Sequence, residues 1–129
     1  MPSTPPTIRP RAARGYRRIS ILTAEPAKVI MELLQGAITS LSQANREGSI
    51  HPELDAARAL SIVGELDLFL DFDSEPQVAK NFMTLYAHLR QRLGPCCRKF
   101  DPEVSKEVLS VLSILKEGWV EVHRKRERR

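Results

Sequence analysis

Pro26, Pro52, Pro76 and Pro102 stand 26, 24 and 26 residues apart, each at the head of a run with helical periodicity. Proline suits the first turn of a helix, where its missing N–H has no partner to lose and its fixed φ fits. The spacing therefore divides the chain into four helices of similar length joined by short loops. Asp101 before Pro102 reads as an N-cap, and Ser74 to Gln77 has capping-box spacing. Gly48 and Gly94 stand where the first and third helices should stop, and Pro95 blocks continuation of the third.

The apolar positions follow the same division. In the first segment Ile30, Leu33, Leu34, Ala37, Leu41 and Ala44 recur at three- and four-residue steps, widened by Val29 and Ile38. The second carries Ala59, Ile62, Val63, Leu66, Phe69 and Leu70; the third Val78, Ala79, Phe82, Leu85, Tyr86, Leu89 and Leu93. The fourth adds Val104, Val108, Leu109, Val111, Leu112, Leu115 and Trp119. Stripes this broad bury against several neighbours instead of forming a coiled-coil seam. No period-2 stretch competes with them. The expected fold is all-α, an antiparallel up-down four-helix bundle with a partly extended N-terminal segment. At 129 residues the chain is long enough for one such domain.

Charge is distributed unevenly. Residues 1–18 hold five arginines and no acid, and residues 123–129 hold five basic residues and Glu127. The total of +4 leaves −5 for residues 19–122. The expected organisation is a basic Pro/Arg-rich leader over 1–18, a helical domain over 19–122 and a basic tail over 123–129. Two arginine-rich ends admit a nucleic-acid-binding or regulatory reading, but an acidic body repels that partner. No apolar run is long enough to span a membrane, and no apolar stretch behind the leader's arginines reads as a secretory signal.

No catalytic constellation emerges. His51, His88 and His123 share no metal-ligand spacing, and there is no Gly-rich phosphate loop, G-x-S-x-G or C-x-x-C. Asp67, Asp71, Asp73 and Glu75 lack EF-hand order and read as a solvated acidic helix end. The adjacent Cys96 and Cys97 read as free loop thiols. The expectation is no enzyme, no metal, no cofactor and no small-molecule substrate. Tyr86 and Trp119 read as core aromatics. Leu68 and Phe72 fall off the core stripe of the second helix and, beside Phe69, read either as an exposed apolar patch of the kind partners use or as surface on which the leader packs.

Four segments resemble one family in order. "ILTAEPAKVIMELLQGAI" is similar to the opening of the flagellar secretion chaperone family, FliS, through Thr23, Ala24, Pro26, Gly36 and Ala37. "ELDLFLDF" resembles the end of its second helix, through Glu65, Leu66, Leu70 and Asp71. "VAKNFMTLYAHLRQRL" resembles its third, at Ala79, Asn81, Leu85, Tyr86, Arg92 and Leu93. "DPEVSKEVLSVLSILKEGW" fits the fourth in its Glu-Val step and in Glu117 and Trp119. The chain departs from the family at Leu34-Gln35, where Tyr-Asp is common, at His88, where an aromatic is usual, and in the basic tail.

The resemblance implies a bacterial cytosolic chaperone that binds the C-terminal disordered segment of flagellin and hands it to the flagellar type III export apparatus. It implies a monomer or weak dimer without cofactor. An adaptor for other export components is the alternative within the same machinery. By the same resemblance, the client would meet apolar side chains among Leu34, Leu66, Leu68, Phe69, Phe72, Phe82, Tyr86 and Leu89. Tyr16, Ile19 and Ile21 in the leader would cover that surface until the client arrives.

Overall fold

The computed structural model describes residues 26–127, and the leader lies outside the described residues. Four α-helices carry the fold: α1 (Pro26–Ala44), α2 (Pro52–Leu66), α3 (Pro76–Leu93) and α4 (Pro102–Glu127). Each begins on one of the four spaced prolines. No described residue lies in a strand. The helical class read from periodicity is therefore the class observed.

The helix starts differ in how their free N–H groups are met. At α4, Asp101 Oδ1 accepts the N–H groups of Glu103 at 3.0 Å and Val104 at 3.4 Å, as its position before Pro102 implies. The capping box expected over Ser74–Gln77 does not form. Pro76 fixes the first helical residue of α3, which makes Glu75 the N-cap and leaves Ser74 one position too early. Asp71 Oδ1 organises that turn instead, accepting from Asp73 N–H at 3.1 Å and Ser74 N–H at 2.9 Å.

The helix ends also depart from simple stops. α1 ends at Ala44, four residues before Gly48, which supplies a positive φ of 82° in the connecting turn. After Leu93 a 3-10 turn runs over Gly94–Cys97 and carries Cys96 into the core at 1% exposure. Cys96 is thus a buried thiol, not an open loop thiol; both cysteines are free. Burial, followed by the neighbouring Cys96, pushes the Cys97 thiol above its ordinary value.

A single core joins the helices. Leu34 and Leu41 of α1, Val63 and Leu66 of α2, Leu89 and Leu93 of α3, and Val108 and Leu112 of α4 are all fully or almost fully buried. Each contributes about 1.5–3 kcal/mol by leaving water. α1 lies between α2 and α4, and small residues let α1 and α2 approach: Ala37 and Ala44 on one, Ala56 and Ala59 on the other. Gly36 marks a close approach, since a Cβ there would sit 3.3 Å from Ile62 Cδ1. Gly36→Leu should therefore force α1 and α2 apart and cost about 1–3 kcal/mol. A lowered urea midpoint is the expected readout, and an unchanged one would mean the contact is slack.

Polar ties fix the connections. Glu53 Oε2 accepts the Phe100 N–H at 3.1 Å, anchoring the α3–α4 connection to the start of α2. Arg92 donates twice to Glu107, at 2.9 Å each, across α3 and α4. That bidentate pair holds the Glu107 carboxyl below the usual carboxylate range. α2 passes at Leu66 into a 3-10 turn over Asp67–Phe69, and Leu70 is extended. Arg90 Nη1 grips Asp67 Oδ2 at 2.9 Å and pins this turn against α3.

That turn corrects one sequence expectation. On a continuous α2, Leu68 would face solvent. With the chain tightened to three residues per turn and then extended, the 100° step no longer applies, and Leu68 is buried at 8% exposure.

Candidate binding cleft

The start of α1, the end of α2, the first half of α3 and the C-terminal half of α4 meet around an open cleft of about 280 Å³. Pro26, Ala27 and Ile30 come from α1, and Leu66, Phe69 and Leu70 from the end of α2 and its turn. Val78, Ala79, Phe82 and Tyr86 descend along α3, and Trp119 faces them from α4. The wall exists because α3 buries only Ala79 in its first two turns, while Trp119 of α4 stacks on Phe82 beside that stretch.

Aromatic rings form the back of the cleft. Phe82 lies between two rings, 5.7 Å from Tyr86 at an interplanar angle of 22° and 6.1 Å from Trp119 at 30°. Offset stacks of this kind add to burial and hold large apolar surfaces in fixed positions. Val78 stays 45% exposed at the edge, so the cleft offers apolar area to something that can cover it. Two carboxylates, Asp71 and Glu75, stand on the rim.

Tyr86 is the buried ionisable group of the cleft lining. Burial, and then the negative charge of Asp67, push its phenol well above the ordinary tyrosine value. A raised folded-state value favours the neutral ring, so this stability is complete below pH about 10 and is lost as pH climbs beyond it. Denaturation midpoints should fall in that alkaline window. Tyr86→Phe should flatten the fall, and an equal fall in both proteins would assign it elsewhere.

The sequence-derived site residues divide into groups. Leu66, Phe69, Phe82 and Tyr86 come together in the cleft wall. Leu34 and Leu89 do not line it; like Leu66 and Tyr86 they are buried, but wholly within the core that holds the helices together. Leu68 is buried as well, so the patch expected from Leu68, Phe69 and Phe72 breaks up. Phe72 is 46% exposed in the α2–α3 connection but stands outside the wall. Tyr16, Ile19 and Ile21 lie outside the described residues. Sequence reasoning missed Ile30, Val78 and above all Trp119 as wall residues. The available signal for Trp119 was its position as the last residue of the fourth apolar stripe.

The rest of the described molecule offers little chemistry. Among the described residues no three His, Cys, Asp or Glu side chains gather closely enough to hold a metal. No described helix is long and apolar enough to cross a membrane. α4 continues as helix into the basic run, where Glu121 pairs with Arg124 at 2.9 Å. Part of that positive charge is therefore met within the helix itself.

Fold and cleft together define a four-helix scaffold with an open, largely apolar cleft. A family model described as "Flagellar protein FliS" matches residues 9–126, and the chain belongs to that family. It is 29% identical over 117 residues to flagellar secretion chaperone FliSB of Pseudomonas aeruginosa, covering 84% of this chain and 93% of the relative. It is 26% identical over 117 residues to flagellar secretion chaperone FliS of Vibrio cholerae, covering 84% and 86%. FliS is a chaperone family, and the chain is not an enzyme.

Proposed function

We propose that this protein is a cytoplasmic export chaperone whose cleft binds the C-terminal disordered segment of flagellin. Bound there, the segment cannot polymerise prematurely, and the flagellin is delivered to the flagellar type III export apparatus. The observation that carries the reading is the aromatic cleft in a member of the FliS family. In this reading the four helices run up and down as an antiparallel bundle, and the protein acts without a cofactor.

The chemistry is coupled folding and binding. A disordered amphipathic segment becomes helical as its apolar side chains enter the cleft, and the ordering cost limits the net affinity. Moderate affinity suits a protein that must release its client at the export apparatus. Pro26, eight residues after the leader's last arginine, is itself part of the cleft wall. Tyr16, Ile19 and Ile21 would shield the wall when no client is present, so that leader and client compete.

Calorimetric titration with a flagellin C-terminal peptide tests the reading, and one peptide per chain is the expected stoichiometry. Deleting residues 1–20 should tighten that binding several-fold if the leader competes. A drop in stability without tighter binding would instead make the leader a staple for α1. Absence of any peptide binding would sink the flagellin assignment.

A further inference from the structure

The apolar wall by itself selects poorly, because any helix with leucine or phenylalanine anchors can cover Val78, Phe82 and Trp119. Selection among such segments falls to the polar groups at the edge. Those groups have one sign: the described cleft wall includes the carboxylates of Asp71 and Glu75 and no lysine or arginine. Both acids are set there by the backbone. Glu75 is the N-cap residue of α3, and its side chain makes no capping hydrogen bond, so the carboxylate is not turned back onto the helix end. Asp71 is held by the N–H groups of Asp73 and Ser74.

We propose that the cleft selects for cationic clients: the segment it takes carries arginine or lysine beside its apolar anchors, and Asp71 and Glu75 receive those cations. This rests on the reading of the cleft as the client site. When a segment settles on the wall it displaces water from the rim, and each cation–carboxylate contact strengthens as the surroundings become less polar. A segment with acids at the same positions brings like charge against the rim and is rejected. The chain itself contains one run of matching chemistry joined to the wall. In the leader, Arg17 and Arg18 stand between Tyr16 and Ile19, ten residues or fewer from Pro26. Rim and basic-apolar run are thus complementary in charge within one sequence.

Three synthetic amphipathic peptides with identical leucine and phenylalanine anchors, differing only in flanking arginine, glutamine or glutamate, test this on the full chain by calorimetry. The arginine peptide should bind about tenfold more tightly than the glutamate peptide at low salt, with glutamine between them. The difference should collapse near 0.5 M salt, a concentration at which the Debye length is roughly 4 Å. It should also collapse in Asp71→Asn/Glu75→Gln, which keeps the turn's acceptor at position 71. Equal binding of all three peptides, or a preference for glutamate, overturns the charge selection while leaving the cleft as a client site. Binding by none of them overturns the client reading and the selection with it.

Discussion

Leu34→Ala is expected to lower the free energy of unfolding by about 2–5 kcal/mol, a large share of the roughly 5–15 kcal/mol that holds a domain of this size. Leu34 is wholly enclosed at the centre of α1, the helix that contacts both α2 and α4. Truncation removes its transfer free energy and leaves a hole that α2 and α4 cannot both close. The urea midpoint should fall at nearly constant m-value. Client affinity per folded molecule should barely change, because the side chain is buried in the core and does not line the cleft. If Leu34→Ala left stability intact and abolished client binding, its placement in the core would be wrong.

Trp119→Ala should do the reverse. Trp119 closes the α4 side of the cleft and stacks on Phe82, so its loss removes the largest apolar face of the wall and frees the Phe82 ring from one partner. A central aromatic of an interface is worth about 2 kcal/mol or more, which is roughly a 30-fold loss in affinity for a flagellin C-terminal peptide. The ring is only half-buried in the free protein, so the loss of stability should be smaller than for Leu34→Ala. Comparing both variants by calorimetry and by urea denaturation separates floor from foundation.

Much of this architecture was legible in the sequence because proline and apolar spacing act locally. The four helix starts follow from a residue that fixes its own φ, and the buried leucines follow from a 3.6-residue period. What escaped depended on contacts between elements. Leu68 turned inward because α2 gives way to a 3-10 turn gripped by Arg90 through Asp67, a partner 23 residues distant. Ser74 does not cap α3 because Pro76 fixed the helix frame one residue later than the capping-box spacing requires. Cys96 entered the core because the chain kept turning for four residues past Leu93. Within the site, periodicity found Leu66, Phe82 and Tyr86 but could not separate them from Leu34 and Leu89. All five share a core-facing stripe, and spacing alone does not say which of them line a cleft. Trp119 is the same case: its spacing marks it as core, yet it lines the cleft.

The most direct measurement uses Trp119 itself, the single tryptophan of the chain. A flagellin C-terminal peptide without tryptophan, titrated into the full-length protein, should shift Trp119 emission and saturate at one peptide per chain. A peptide that binds by calorimetry yet leaves that emission unchanged would contradict the cleft as the client site.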